Sequence, residues 1–128
     1  MEDNRFRIYY KHTDCGGITY HSNYIDFCEM ARSELFFQAG MKPHVGDCHF
    51  ALKNIKCDFI NYSTLGDLLS VSSEIIKLKN ASFVIYHEIK RDDTLIFTME
   101  ATLMFLCEDA KIGKIPKEYI EFFKGFMK

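Results

Sequence analysis

Hydrophobic and polar positions follow a helical period in one part of the chain and a strand-like pattern in most of the rest. Apolar residues recur at spacings of three and four between residues 24 and 36, which predicts a helix with one buried stripe. The stripe consists of Tyr24, Phe27, Cys28, Ala31, Leu35 and Phe36. Ser22 or Asn23 is expected to cap the start of this helix, and Gly40 is expected to end it.

Strands account for most of the remaining pattern. A short strand is predicted over Phe6 to Tyr10, and a last helix is predicted from Pro116 through Phe126. Between them, segments rich in Ile, Val, Phe and Thr predict four long strands: His49 to Asn61, Leu68 to Leu78, Ser82 to Arg91 and Thr94 to Cys107. Their connections are too short for parallel crossovers, so we expect an antiparallel meander.

This order of elements predicts an α+β fold in which an antiparallel sheet wraps around one long central α-helix. No linker, repeat or low-complexity run interrupts residues 1–128, so we expect a single domain. One helix cannot cover both faces and the edges of such a sheet. We therefore also expect a homodimer, paired again into a tetramer or larger assembly through the sheet faces.

The composition fits a folded domain and argues against some functions. The chain has 128 residues, 48% of them hydrophobic, and a formal net charge of -2. That charge argues against a general nucleic-acid clamp, because neutralising phosphates needs a surplus of Lys and Arg. The alternating charges of residues 1–7 argue against a signal peptide, and the most apolar stretch, Leu95 to Cys107, is too short for a membrane-spanning helix. We therefore expect a cytoplasmic protein whose five cysteines are reduced.

Candidate chemistry concentrates where the first strand leads through a glycine turn into the helix. The backbone N–H groups of a helix's first turn, with the positive end of its dipole, can stabilise an oxyanion. Gly16 and Gly17 allow the chain to fold back, which brings Asp14 towards the Tyr20-His21-Ser22 turn. A carboxylate there can attack a carbonyl carbon or activate water. Spacing alone favours a simpler alternative, in which Asp14 hydrogen-bonds its own turn.

Other polar residues offer weaker signals. Cys15 and His12 can be read as a thiol nucleophile and its base, although their spacing does not ensure hydrogen-bond geometry. Two sets contain metal-ligating residue types but lack the paired spacing of structural zinc sites: His12, Asp14, Cys15 and His21, and His44, Cys48 and His49. Glu29, Arg32 and Glu34 fit a solvated helix face or an ion pair along the helix.

Phenylalanines supply most of the large apolar side chains. The C-terminal cluster of Phe122, Phe123 and Phe126 is predicted to lie in the core or at a subunit interface. The residues predicted as walls of an acyl pocket are Phe27, Phe36, Phe50, Phe59 and Phe83.

The segment from Tyr9-Tyr10 through Arg32-Ser33-Glu34 resembles the acyl-CoA thioesterases of the hotdog fold. Within that family it looks most like the Tol-Pal-associated thioesterases, and 4-hydroxybenzoyl-CoA thioesterase is a characterised protein that it also resembles. The positions that carry the resemblance are Thr13-Asp14, Gly17, Tyr20-His21, Asn23-Tyr24, Glu29 and Ala31-Arg32. Supporting matches at Asp67-Leu68-Leu69, Lys79 to Phe83 and Ile115-Pro116 extend it over nearly the whole chain. The resemblance implies the hotdog fold.

The resemblance also implies which residues act. Asp14 matches the catalytic carboxylate, and the backbone N–H of His21 matches the donor to the thioester oxygen. The substrate-binding candidates are Tyr20, Asn23, Tyr24, Lys79, Ser82 and Lys111, of which Lys79 and Lys111 match basic residues that meet the CoA tail. The family builds its site between two subunits, and the resemblance implies no metal or prosthetic group.

The expected function is acyl-CoA thioester hydrolysis, which releases a carboxylic acid and CoA. Asp14 is expected to act as a nucleophile or as a general base, and the sequence leaves both open. Two alternatives remain, since one fold can serve several functions: a non-catalytic acyl-CoA or acyl-carrier binding module, and a hydratase or dehydratase. No set of residues in the sequence indicates recognition of a polar acyl substituent, so the length and polarity of the acyl chain are not predicted.

Overall fold

The computed structural model describes residues 4–127, which form a sheet, two α-helices and connecting turns. The helices are α1 (Ser22–Gln38) and α2 (Lys117–Lys124). The strands are β1 (Asn4–Arg7), β2 (His44–Val45), β3 (Cys48–Phe59), β4 (Leu68–Leu78), β5 (Ser82–Arg91), β6 (Thr94–Cys107) and β7 (Lys111–Ile112). Residues 1–3, part of the charged N-terminal stretch discussed above, lie outside the described residues.

The sheet is antiparallel, with the spatial order β1-β4-β5-β6-β3-β2 and with β7 paired to β6. Strands β4, β5 and β6 form the predicted meander and have the predicted bounds. The prediction that β3 continues this meander next to β4 is wrong, because β3 pairs with β6. Helix α1 contacts β1, β4 and β6, so the sheet curls around it, and residues 60–67 cross from β3 to β4.

Helix α1 buries the six residues of the predicted stripe, and Gly40 follows its end with a φ of +72°. A left-handed backbone at that position suits glycine, as predicted. The capping prediction is wrong: His21 precedes the helix, and no side chain caps it. Neither of the helices described is long and apolar enough to cross a membrane.

The first strand is shorter than predicted on its C-terminal side. It ends at Arg7, because the chain then turns through a 3-10 segment at Tyr10–His12. Ile8 lies between the two and stays tied to the β3–β4 connection: its N–H donates to the Asp67 carbonyl, 2.9 Å away, and its carbonyl accepts the Gly66 N–H at 2.8 Å. This pairing brings the segment that follows β1 next to residues 60–67.

Aromatic side chains fill the end of the core between α1, α2 and the sheet. Phe83 and Phe123 pack with ring centroids 4.4 Å apart, and Phe36 contacts Phe50 and Phe123. Four of the five residues predicted as acyl-pocket walls pack in the core of the protomer: Phe36, Phe50 and Phe83 belong to this cluster, and Phe27 stacks on Phe6. Phe123 is buried there, with Phe122 and Phe126 packed against it, as one of the two interpretations of the C-terminal cluster expected.

Two polar side chains reach the core beneath α1. His87 is fully buried, and its Nδ1 lies 2.8 Å from the Ser73 hydroxyl. Of the two interpretations of Arg32, the solvated helix face is wrong: its Nη1 atom is buried and, like His87 Nε2, has no hydrogen-bond partner in the described part of the chain. Burial lowers the pKa of both side chains, that of His87 to about 3.

The expectation of five reduced cysteines is also wrong. Cys48 at the start of β3 and Cys107 at the end of β6 form a disulfide, with their Cα atoms 3.9 Å apart. The two residues meet because β3 and β6 are neighbours, a pairing that the predicted strand order did not contain. The free cysteines are Cys15, which is exposed, Cys57, which is half-buried, and Cys28, which is buried as expected.

Candidate active site

The glycine turn folds back as predicted and presents Asp14. The Asp14 N–H donates to the Ile18 carbonyl at 2.9 Å, and the Gly17 N–H donates to the Asp14 carbonyl at 3.1 Å. Gly17 has a φ of +85°, a conformation that glycine adopts without strain. Asp14 Oδ1 accepts the Gly16 N–H at 2.8 Å, so the carboxylate does bond its own turn. That bond uses one carboxylate oxygen and orients the other.

The first turn of α1 leaves two backbone donors at its start. The N–H groups of Asn23 and Tyr24 donate to the carbonyls of Tyr20 and His21. The N–H groups of His21 and Ser22 have no hydrogen-bond acceptor within residues 4–127. No acidic side chain lies in this first turn, so nothing there offsets the positive end of the helix dipole. The helix start can therefore receive a negatively charged oxygen.

Asp14 and this helix start share one cavity of about 290 Å³. Its lining consists of Asp14, Ile18, Thr19, Tyr20, His21, Tyr24, Phe59, Asn61 and Tyr62. The structure thus brings together four residues that the sequence analysis singled out: Asp14, Tyr20, His21 and Tyr24. Phe59 joins them as the one predicted pocket wall that reaches the cavity.

The opposite wall of the cavity comes from the β3–β4 connection, residues 60–67. Arg91 Nη1 holds this connection by donating to the Tyr62 carbonyl at 2.9 Å and to Asp67 Oδ2 at 3.2 Å. Asp67 Oδ2 also accepts the Thr64 N–H at 2.8 Å. Asn61 and Tyr62 were not predicted as cavity residues, because this segment has no local sequence motif beyond a turn.

A buried cluster of three hydroxyls joins the two walls. Ser63 Oγ lies 2.6 Å from Thr19 Oγ1 and 2.8 Å from the Tyr24 hydroxyl oxygen, and Thr19 Oγ1 also donates to the Ser63 carbonyl at 3.2 Å. Either oxygen of each hydroxyl pair can donate, and we assign the Thr19 proton to the Ser63 carbonyl, which can only accept. Ser63 then donates to Thr19, and Tyr24 donates to Ser63. Each hydroxyl proton has an acceptor, which fixes α1 against the β3–β4 connection.

Asn23 does not face the cavity, although it was a substrate-binding candidate. Its side-chain Nδ2 donates to the His12 carbonyl at 3.0 Å and to the Tyr20 carbonyl at 3.3 Å. Both partners are pure acceptors, which fixes the orientation of the amide. Asn23 therefore holds the backbone that leads into α1.

The CoA-binding candidates lie elsewhere on the protomer. Lys79 and Ser82 line a second cavity of about 230 Å³ together with Lys53 and Lys77, which makes that cavity basic. Lys111 lines neither cavity; it is exposed on β7, opposite Cys107. Six of the eight predicted site residues therefore line one of the two cavities, and Asn23 and Lys111 line neither.

The other candidate chemistries find no support in the geometry. In residues 4–127, no three His, Cys, Asp or Glu side chains are close enough together to hold a metal ion, so neither candidate zinc set is assembled. His12 Nδ1 accepts the Tyr9 N–H at 2.9 Å. Burial lowers the pKa of His12, and the positive charge of nearby Lys11 lowers it further. Its ring is thus held by the backbone, while Cys15 is exposed.

The curled antiparallel sheet with a helix against its inner side defines a hotdog-fold protein. The family model described as "Thioesterase superfamily" matches residues 16–97, more than half of the chain. The chain belongs to the thioesterase superfamily.

Curated relatives agree with that family. Acyl-CoA thioesterase YbgC of Helicobacter pylori is 39% identical over 85 residues, which are 66% of this chain and 64% of that protein. The match thus spans slightly less than two thirds of the relative's length. The acyl-CoA thioesterase YbgC of Haemophilus influenzae is 32% identical over 131 aligned residues, covering 92% of this chain and 93% of that protein.

Solved structures show the same fold at low identity. A hypothetical protein from Aquifex aeolicus superposes with a TM-score of 0.89 at 24% identity, covering 96% of this chain and 99% of that one. A 1,4-dihydroxy-2-naphthoyl-CoA thioesterase from Synechocystis superposes with a TM-score of 0.88 at 19% identity, covering 95% and 94%. These likenesses establish the fold alone.

Proposed function

We propose that this chain hydrolyses acyl-CoA thioesters to a carboxylic acid and CoA, with Asp14 as the catalytic carboxylate and the His21 N–H as oxyanion donor. One observation carries the proposal: a carboxylate and the free N–H groups of a helix start line the same cavity. Membership of the thioesterase superfamily and the similarity to acyl-CoA thioesterases support thioester hydrolysis.

The chemistry needs only groups that the cavity contains, together with water. The His21 N–H, assisted by the helix dipole, holds the thioester oxygen while negative charge develops on it. In the general-base route, Asp14 takes a proton from water, the hydroxide oxygen bonds to the carbonyl carbon, and the C–S bond breaks to release the CoA thiolate, which is then protonated. In the nucleophilic route, an Asp14 oxygen bonds to that carbon first, and the C–S bond breaks to release the CoA thiolate, which is then protonated. Water then cleaves the resulting anhydride to the carboxylic acid and the free Asp14 carboxylate.

Aromatic rings around the cavity suit an apolar acyl group. Phe59, Tyr20 and Tyr62 are partly exposed at its walls, and such surfaces bind alkyl or aryl groups by non-directional burial. The CoA half calls for a different surface, because its phosphates are anionic. The Lys79 cavity, with Lys53 and Lys77 at its rim, supplies the matching charge.

A dimer formed through β3 would bring the two cavities together. Strand β3 pairs with β6 along one edge, but β2 covers only its first two residues on the other, so the edge from Phe50 to Phe59 is unpaired in the described chain. Such an edge favours pairing with a second copy. Antiparallel pairing about its middle places Phe59 beside the partner's Phe50.

The same arrangement sets the distance to the basic cavity. Ala51 and Ser82 both pair with Met104, so they share one row across the sheet. Counted from Phe59, the strands of the second copy follow in the order β3, β6 and β5. At a strand spacing of about 4.8 Å, these three steps place the partner's Ser82 roughly 14 Å from Phe59. In this proposal the CoA moiety extends from the Asp14 cavity of one subunit to Lys79 and Ser82 of the other.

A panel of acyl-CoAs assayed for free-thiol release tests the proposed activity. The proposal expects turnover for at least one acyl class. Saturable binding of CoA esters without thiol release across the panel would instead indicate a binding module. Hydration of crotonyl-CoA without hydrolysis would indicate a hydratase. Either result would overturn the proposal.

Light scattering at assay concentration tests the shared site. The proposal expects a particle mass of at least twice the 15.0 kDa chain. Full activity in a particle of 15.0 kDa would show that one subunit contains the whole site.

A further inference from the structure

We propose that Asn23 is a positioning residue that aims the His21 N–H into the Asp14 cavity. The inference rests on the proposed function, because it concerns the oxyanion donor of that reaction. It replaces the expectation that Asn23 binds substrate directly.

The peptide group between Tyr20 and His21 contains the proposed oxyanion donor. The Tyr20 carbonyl and the His21 N–H belong to this one planar group and point in opposite directions. Fixing the direction of the carbonyl therefore fixes the direction of the N–H. Whatever holds the Tyr20 carbonyl controls the oxyanion donor.

Asn23 holds that carbonyl twice. Its backbone N–H donates to the Tyr20 oxygen at 3.0 Å, and its side-chain Nδ2 donates to the same oxygen at 3.3 Å. The second hydrogen of the amide reaches the His12 carbonyl at 3.0 Å, which also accepts the Tyr20 N–H at 2.8 Å. Hydrogen bonds thus connect the carbonyl side of this peptide to α1 and, through the Asn23 side chain, to the His12 turn, while the His21 N–H stays free.

These bonds also affect the strength of the donor. Hydrogen bonds donated to a carbonyl polarise the whole peptide group, which makes the N–H on its other side a better donor. A side chain other than an amide with two hydrogens cannot reach both carbonyls in the same way. Asn23 thereby both orients the His21 N–H and polarises the peptide group that contains it.

The test compares two unreactive substrate analogues. In the ketone analogue, a CH₂ group replaces the thioester sulfur and the carbonyl stays; in the thioether analogue, the carbonyl is replaced by CH₂. The parent protein should bind the ketone more tightly. In Asn23→Ala the preference for the ketone should shrink by about tenfold and kcat should fall at least about tenfold, while thioether affinity and KM change little.

Asn4→Ala is the matched control. Asn4 Nδ2 donates to the Ala31 carbonyl at 3.5 Å, so this variant also removes an asparagine bond to the α1 backbone, but far from the helix start. It should keep the parent's ketone preference. Asn23→Ser provides a second variant with a single remaining donor, and its loss should be intermediate.

The outcomes separate the two proposals. If Asn23→Ala and Asn23→Ser are folded and keep the parent's ketone preference and kcat, Asn23 does not position the donor. If the parent itself shows no thioester turnover and no preference for the ketone, the proposed function fails instead. A fall in thioether affinity equal to the fall in ketone affinity would show general damage to the cavity and would overturn the positioning role.

Discussion

Replacing Ser63 by alanine should destabilise the protein through the hydroxyl cluster that joins the two walls of the cavity. The substitution removes one oxygen from a side chain that is fully buried. Thr19 can still donate to the residue-63 carbonyl at 3.2 Å, but the Tyr24 hydroxyl loses its acceptor, which lay 2.8 Å away. Tyr24 is only 3% exposed, so water does not readily replace that acceptor.

The size of this destabilisation follows from the buried Tyr24 hydroxyl that is left without an acceptor. A buried polar group left without a partner costs about 1–3 kcal/mol. We therefore expect Ser63→Ala to lower the free energy of unfolding by about 2 kcal/mol, which corresponds to a fall in Tm of about 6–8 °C for a domain of this size. Urea denaturation measures the first quantity and a thermal melt the second.

A double-mutant cycle tests the cause of this loss. In the parent, Tyr24→Phe removes one hydrogen bond and should cost about 1 kcal/mol. In the Ser63→Ala background it removes the stranded hydroxyl, so there it should stabilise the protein. The same destabilisation by Tyr24→Phe in both backgrounds would refute the assignment of the Tyr24 proton to Ser63.

Two further predictions concern pH and the CoA half of the substrate. Burial, assisted by the charge of Arg32, lowers the pKa of His87 from 6.5 to about 3, so below about pH 6.5 the unfolded state binds a proton that the folded state does not. Stability should therefore fall as the pH drops from about 6.5 towards 3, by up to about 1.4 kcal/mol per pH unit, and His87→Gln should flatten this dependence in urea denaturation; an unchanged slope would contradict the assignment. Lys79→Ala should raise KM for acyl-CoA but leave kcat unchanged, and it should not affect the hydrolysis of short thioesters that lack the nucleotide. Lys117 is exposed outside that cavity, so the control variant Lys117→Ala should leave KM and kcat unchanged on both kinds of substrate. Equal losses on both substrate types would place Lys79 outside the CoA site.

Local pattern was enough to predict most elements of this fold. Strands β4 to β6 have the expected bounds, and the apolar stripe of α1 contains the expected six residues, because alternation and helical period are properties of neighbouring positions. The position of β3 was not predictable in this way. Short connections exclude parallel crossovers, but a curled sheet also lets residues 60–67 reach β4 without β3 and β4 being neighbours.

The difference between local pattern and contacts across the fold also explains which residues of the site were predicted and which were missed. Asp14, its glycine turn and the helix start lie close together in sequence, and they share a cavity as expected. Ser63 and Arg91 act across the fold, and nothing around them in the sequence signals a contact with Thr19 or with the Tyr62 carbonyl. Asn23 was predicted to bind substrate, but its side-chain amide bonds the backbone that leads into α1 instead, and sequence cannot show the direction of an amide.

The role of Asp14 can be measured most directly by comparing Asp14→Asn with Asp26→Asn on an acyl-CoA that the parent hydrolyses. Both variants replace one carboxylate by its isosteric amide, and Asp26 is an exposed residue of α1 that does not line the cavity. We predict that kcat falls at least about a hundredfold in Asp14→Asn and stays unchanged in Asp26→Asn, because an amide can neither accept the proton from water nor attack the thioester. An Asp14→Asn protein that releases thiol as fast as the parent would show that Asp14 is not the catalytic carboxylate.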